Sequence, residues 1–351
     1  MAGKHEIDLA AQTLFAELLQ RALDAEFDVD FSEKGSFVRK RLKGGLYWYY
    51  QWRAGDKVMS KYAGPATDLS IADRVERFGN IKSSYRRRHT LVRALAAAGL
   101  PSPDPLSGSV IEAMWKAGFF RLRGVLVGTL AYQGYAGLLG VSLGQRPLMT
   151  QDADFAQFWG VSENIGESMG DPLTVLQTVD PTFRAVPHIT DPFVSTRYRN
   201  RQDYAVDFLT PNRGSADHQG RPARMKALGG AGAQPLRHLE YLMHETERSV
   251  LLFGGGVPVT IPRAERYAIH KLIVAASRVD QTKAPKDILQ AHTLIQALAT
   301  LRPAELKRAW KLAWESGNRW RQKLEAGRQR LPSESLAILS EFRPTRARSA
   351  R

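Results

Sequence analysis

Three aspartates carry the chemistry that can be read directly from this chain. Asp152 and Asp154 stand two apart in Thr150-Gln151-Asp152-Ala153-Asp154-Phe155, and Asp207 lies within Tyr204-Ala205-Val206-Asp207-Phe208-Leu209. An extended segment puts every second side chain on one face, so Asp152 and Asp154 point the same way. The residues around Asp207 are β-branched and aromatic and predict a strand with a carboxylate in its middle. Three carboxylates on neighbouring strands are the oxygen ligands that a pair of Mg²⁺ ions needs, and such ions also bind substrate phosphates. Two ions in that arrangement activate an attacking hydroxyl and stabilise departing pyrophosphate. Asp152, Asp154 and Asp207 are therefore the expected metal ligands and catalytic residues, with two Mg²⁺ ions as cofactor.

An isolated Asp-x-Asp is common on turns, and the order of the surrounding elements gives this one its weight. Val125 to Val127 is a short apolar β-run that breaks at Gly128-Thr129, and Leu130 to Leu139 is rich in small and apolar helix formers. Gly128 allows a backbone or a phosphate to approach closely. Thr129 offers a hydroxyl for an N-cap or a phosphate at the positive end of a helix. Ser195 to Leu209 predicts a hairpin whose Arg197, Arg199 and Arg201 either grip a triphosphate or RNA backbone bidentately or are surface charge. Thr210 to Gln234 is glycine-rich, basic and loop-like. Gly254-Gly255-Gly256 links two β-runs and lacks the following helix that a phosphate loop demands. Pro262 predicts the start of a helix reaching Arg278, on which Lys271 by itself reads as a solvated lysine and His270 as a packing residue.

The elements that must position these residues sit in a chain of 351 residues, enough for two or three domains and a sizeable core. Its apolar runs stop well short of the ~20 residues of a membrane span. Met1 leads into charged Lys4-His5-Glu6 without a signal peptide, so a cytoplasmic protein is expected. There are no cysteines, which excludes disulfides, thiolate metal sites and a cysteine nucleophile. A net charge of +15 favours polyanions such as nucleic acid, and by itself does not separate RNA from DNA or either from an anionic membrane surface. RNA ahead of DNA is the partner expected.

Ile7 to Phe27 has helical apolar spacing. Three β-runs from Gly35 to Tyr62, separated by Lys43-Gly44-Gly45 and Ala54-Gly55-Asp56, predict a three-stranded meander. Its aromatics and cations interleave, which suits base stacking and phosphate neutralisation, with Arg39, Lys40, Arg41, Lys43, Trp48, Arg53 and Lys61 as the contacts. The same pattern equally describes a small core with a charged, aggregation-resistant edge. Asp68 to Ala98 predicts one long helical region, Pro101 to Pro105 a break, and Ser107 to Phe119 a further helix. Towards the C-terminus, helices are expected from Lys286 to Leu298 and from Pro303 to about Arg330. The boundaries expected are 1–104, 105–261 for the core, 262–335 for a helical region, and 336–351 for a basic, disordered tail.

Gly128-Thr129 followed by Asp152-x-Asp154 and a later strand aspartate resembles the nucleotidyltransferase fold of the DNA polymerase beta superfamily. With GSFVRKRLKGGLYWYYQ ahead of the core, VDFLTP at Val206 to Pro211 and IPRAERYAIHKL at Ile261 to Leu272, the chain resembles an uncharacterised bacterial family with that fold. It is distantly similar to the abortive-infection nucleotidyltransferase toxins. The resemblance spans about residues 30 to 300, and the spacer between Gly128-Thr129 and Asp152 is longer than in compact superfamily members. It implies an α+β fold: a nucleotidyltransferase-fold mixed sheet flanked by helices, preceded by a helix and a small basic three-stranded sheet, and followed by a helical C-terminal region. It also implies an Mg²⁺-dependent enzyme that moves an NMP from an NTP to a hydroxyl of a nucleic acid such as tRNA. Gly128, Thr129 and Lys271 would bind the phosphates, and a toxin or phage-defence role would follow. Nucleotidylation of a protein or small molecule, or non-catalytic nucleic-acid binding, are the alternatives. Aminoglycosides are cationic and fit poorly with a charge of +15. No membrane is expected as a partner, and a protein partner or antitoxin stays unassigned.

Overall fold

The computed structural model describes residues 6–30, 36–42, 45–54, 56–77, 85–144, 150–164, 166–212, 220–278 and 281–342. Lys43, the Arg213-Gly214 part of the basic loop and the tail from Arg343 lie outside them. The N-terminal helix α1 (Leu9–Asp30) is followed by the expected meander, β1 (Ser36–Leu42), β2 (Gly45–Ala54) and β3 (Lys57–Pro65), all antiparallel. Its aromatics divide as strand alternation requires. Tyr50, 2% exposed, packs with Phe37 and Trp52 against Ile71 and Val75 of α2 (Leu69–Arg77). On the other side Tyr62 meets Tyr47 and Tyr49, with ring centres 5.9 and 5.6 Å apart. The sheet is fastened to the rest of the protein there: Arg121 donates to the Tyr62 carbonyl at 2.8 Å and forks onto Glu167, which accepts from the Tyr62 backbone N–H at 2.9 Å.

Within the helical region expected from Asp68 to Ala98, residues 78–84 lie outside the described ones, which form two helices, α2 and α3 (Tyr85–Ala97). The second packs on α1 through Leu91, Val92 and Leu95. Pro105 then opens α4 (Pro105–Lys116), capped by Asp104, whose carboxylate accepts from the N–H groups of Leu106 and Ser107 at 3.1 and 3.0 Å. A proline at the first helical position lacks only a donor that would have had no helical partner.

The core sheet has seven strands. The path is β4 (Val125–Val127), β5 (Asp152–Ala156), β8 (Ala205–Pro211), β10 (Gly232–Leu236) and β9 (Ala223–Arg224), while β6 (Arg184–Val186) pairs β7 (Arg197–Arg199), which pairs the first half of β8. β5, β8 and β10 are mutually parallel; the other pairings are antiparallel. The predicted loop from Thr210 to Gln234 thus contributes two strands, because parallel pairing with β8 satisfies backbone groups that its local sequence could not.

Between these strands lie α5 (Gly128–Gln133), α6 (Tyr135–Leu139), α7 (Trp159–Asn164), α8 (Pro172–Gln177) and α9 (Leu239–Met243). A hairpin follows, β11 (Thr246–Leu251) with β12 (Val257–Pro262), turned at the glycine triplet as expected. Pro262 ends this strand rather than starting a helix; α10 runs from Ala264 to Ser277. Residues 264–273 of α10 are all buried, since α9, α11 (Ala284–Leu301), α12 (Pro303–Glu315) and α13 (Asn318–Arg328) pack around it and Tyr132 and Tyr135 meet Tyr267. The expected single helix from Pro303 to Arg330 is two, broken at Gly317 with φ +119°. The tail expected from residue 336 instead begins inside α14 (Ser333–Ser340), whose Leu339 is wholly buried. Among the described residues no helix is long and apolar enough to cross a membrane.

Candidate active site

The acids are placed by alternation on two parallel strands. Asp154 is paired with Asp207 and Phe155 with Phe208 in the β5–β8 register, so both carboxylates leave one face while both rings leave the other. Phe155 and Phe208 stack at 5.8 Å, and Phe119 meets them edge-on at 5.1 and 6.3 Å. Burying each such ring contributes roughly 1.5–3 kcal/mol. A one-residue slip of either strand would drive an aspartate into this ring cluster, so the hydrophobic face sets the register of the acids. Asp152 lies on the same face as Asp154, opposite Ala205.

The strand and helix around Gly128 close on this face. Val127 pairs with Asp154, and Gly128 follows with φ +68°. A Cβ at position 128 would overlap the Asp154 carboxylate, so glycine is required for both its backbone conformation and its lack of a side chain. Thr129 is not an N-cap. α5 starts at Gly128, Val127 occupies the cap position without a side-chain bond, and Thr129 is buried in the first turn. Tyr267 of α10 holds the turn in place, its hydroxyl bonded to the Gly128 carbonyl at 2.9 Å and to Gln290 at 3.1 Å.

A cavity of about 500 Å³ opens in front of these groups, lined by Gly128, Asp154, Arg197, Asp207, Lys271 and Arg278 among others. Burial first, then Asp152 and Asp207, push the Asp154 carboxyl up to about 7, against the pull of Lys271 and Arg197. Asp207 is held by Arg197 through two bonds of 2.6 and 2.7 Å. Asp152 accepts from the Thr150 hydroxyl and lies 3.6 Å from Lys283. Lys271 is also engaged: its ammonium donates to Asp287 at 2.7 Å, and Arg278 takes the other oxygen of that carboxylate. Burial works against the Asp287 charge, but the two cations outweigh it and hold the carboxyl below its usual range. His270 behaves as a packing residue, buried and pushed down to about 3.

Whether this set suits a metal ion depends on what is counted. Its donors are all oxygen, and the raised Asp154 marks negative charge that a divalent cation would neutralise. As the side chains stand, no group of three His, Cys, Asp or Glu among the described residues is disposed to hold an ion. Arg197 occupies both oxygens of Asp207. The residue types, all oxygen donors, fit a hard divalent cation.

Of the proposed nucleic-acid contacts, Arg39, Arg41 and Arg53 are exposed on the small sheet, and Lys40 and Lys61 are half-buried. Arg39 lies over the Trp48 ring at 5.2 Å and Lys40 over Tyr49 at 4.7 Å. Sequence reasoning did not single out Gln290 or Asp287 as parts of the site. Asp287 carried one available signal, an acid in the first turn of a helix beside Lys286, but only the fold shows it facing Lys271.

Clustered carboxylates beside a glycine turn, facing a cavity also lined by Arg197, Lys271 and Arg278, make up the candidate site. The sequence model of the nucleotidyltransferase family matches residues 106–315, more than half of the chain, and the protein belongs to that family. It is a nucleotidyltransferase, and its general chemistry is the transfer of a nucleoside monophosphate. No curated protein matches the chain. Among solved structures, an antigenic nucleotidyltransferase-like protein from Paracoccidioides brasiliensis is similar at 15% identity, covering 64% of this chain and 94% of that one with a TM-score of 0.31.

Proposed function

We propose that Asp152, Asp154 and Asp207 bind Mg²⁺ and that the enzyme moves an NMP from an NTP to a hydroxyl of a nucleic acid. The observation that carries this is the in-register pair Asp154 and Asp207, facing one cavity with Gly128 and Lys271. Bound there, the metal would polarise the phosphates and lower the pKa of the attacking hydroxyl. The chain's own groups do the rest. Gly128, with no side chain and a backbone clamped by Tyr267, lets the Asp154 carboxylate lie directly against the turn. Arg197 carries a planar fork suited to phosphate and turns from Asp207 to the triphosphate. Lys271, locked onto Asp287, adds fixed positive charge to the cavity wall without needing to move. The net charge of +15 supports a polyanionic acceptor, and RNA such as tRNA is the one proposed, though the charge alone would suit DNA equally. A toxin or phage-defence setting rests on the resemblance to abortive-infection enzymes alone.

The test is a transfer assay with purified protein, Mg²⁺, each α-labelled NTP in turn and total cellular RNA, with Asp152→Ala/Asp154→Ala as control. Label in RNA that vanishes in the control supports the reading. Label on polypeptide moves the acceptor to protein, and label on neither overturns it.

A further inference from the structure

A second and larger opening, about 1090 Å³, lies beside the acid cavity, and Leu236 at the end of β10 lines both. Arg237 and His238 carry the chain from one to the other, and α13 supplies the opposite wall with Arg319, Trp320 and Lys323. We infer that this groove binds the single-stranded end of the nucleic-acid acceptor and feeds it towards the acids, a reading that rests on the transfer function proposed above.

Three observations carry it. The first is charge without compensation: among the described residues Arg237, Arg319 and Lys323 have no carboxylate partner. Burial, and next the Arg237 charge, lower Lys323 below the usual lysine range. Of the acids on the walls, Glu245 is already neutralised by Arg266 at 3.1 Å and Arg308 at 3.3 Å, which leaves Glu240. A phosphate backbone supplies the missing anion.

The second is a stacking surface. Trp320 is half-buried and makes T-shaped contacts with His238 at 4.3 Å and Tyr241 at 5.5 Å, so an indole fixed in place lines the groove where a base can stack. His238 is kept neutral, pushed down to about 4 by burial and then by Lys323 and Arg237, so it adds no charge of its own near neutral pH. The third is a pair of buried polar atoms on these walls that find no hydrogen-bond partner, Oδ1 of Asn212 and Nδ1 of His238. Unpaired polar atoms in such a place cost free energy that a base edge, with both donors and acceptors, offsets.

The geometry also gives direction. β8 runs from Asp207 at the acids to Pro211, and Asn212 stands at the groove, a path of roughly 16 Å along the strand. An acceptor whose terminal hydroxyl reaches the acids must continue outward, and the groove lies on that continuation. Duplex would keep its bases stacked on each other and leave Trp320 unused, so the single-stranded form is the one that fits.

The experiment is fluorescence anisotropy with a labelled twelve-nucleotide single strand, as RNA and as DNA, and with a hairpin duplex, in the absence of any NTP. The wild-type protein is expected to bind the single strands more tightly than the duplex, with the two single-strand arms showing which sugar it prefers. Arg237→Glu/Lys323→Glu should weaken binding at least tenfold and flatten its salt dependence by a log–log slope of about 1 to 2. Trp320→Ala should weaken it about tenfold with the slope unchanged. If that variant loses its thermal transition, Arg319→Glu at the exposed rim takes its place, with an expected loss of about threefold. Unchanged binding in these variants, no binding by the wild type, or loss on Arg39→Glu/Arg41→Glu instead would overturn the inference. The transfer reading fails separately: single strands bound through the groove, with no label transferred from any NTP, would leave the groove standing and remove the reaction.

Discussion

The acid cavity and the basic groove are opposites built on one principle. In the cavity burial, and then Asp152 and Asp207, push the Asp154 carboxyl up to about 7. In the groove burial, and then Lys323 and Arg237, push His238 down, and burial and then Arg237 lower Lys323. Each concentrates one sign of charge where the fold supplies too little of the other. The Lys271–Asp287–Arg278 cluster differs from both, because its two cations share a carboxylate, and on the small N-terminal sheet Arg39 and Lys40 lie over aromatic rings. The difference teaches that abundance of charge is a poor guide to a site; charge left uncompensated by the fold is a better one.

The sharpest way to break the comparison is Asp154→Asn. It should lower transfer about a thousandfold or more, since it removes a central ligand of the proposed metal site. It should also raise Tm in metal-free protein most at pH 8, less at pH 5 and hardly at all below pH 4. The direction follows from the raised carboxyl: the folded state keeps the proton between pH 4 and 7 that the unfolded state gives up. Stability therefore falls as pH rises through that window, and the neutral amide avoids the loss. A metal-free variant less stable than wild type at pH 8 would show that Asp154 is compensated after all.

Next in size is the paired cluster. Lys271→Ala should cost about 3–5 kcal/mol in denaturant unfolding, because it leaves Asp287 buried with only Arg278 beside it. A cost under about 1 kcal/mol would mean that the lysine is not locked in the folded protein and that the contrast with the cavity is false.

A smaller effect is expected from the cation itself. Millimolar Mg²⁺ should raise Tm by a few degrees at pH 8 and by less at pH 5, where protons compete for Asp154, and EDTA should reverse it. Arg197→Ala should change stability by no more than about 1 kcal/mol, as its side chain is 46% exposed. The same change should tighten apparent Mg²⁺ affinity several-fold by freeing Asp207, read from the Mg²⁺ dependence of Tm, and a weaker affinity would show that the fork does not guard the site. Smallest of all, Arg39→Ala should alter oligonucleotide binding less than threefold, since its guanidinium already rests on Trp48.

What the sequence by itself determined is the part of the site that depends on local periodicity. A spacing of two puts Asp152 and Asp154 on one strand face, a β-prone run frames Asp207, a glycine marks the turn at 128, and alternating aromatics announce the meander. These follow from backbone geometry, which acts over a few residues and is visible in any short window. Tertiary structure alone decided which charges meet. Arg197 could have been a phosphate clamp or surface charge until the β7–β8 register set it opposite Asp207. Lys271 read as solvated until α11 brought Asp287, sixteen positions on, against it. The groove required β10, a strand hidden in a glycine-rich stretch, to face Trp320 of α13 more than eighty residues later. Coulombic compensation depends on distances of a few ångströms between chain-distant groups, and no spacing along the chain encodes those.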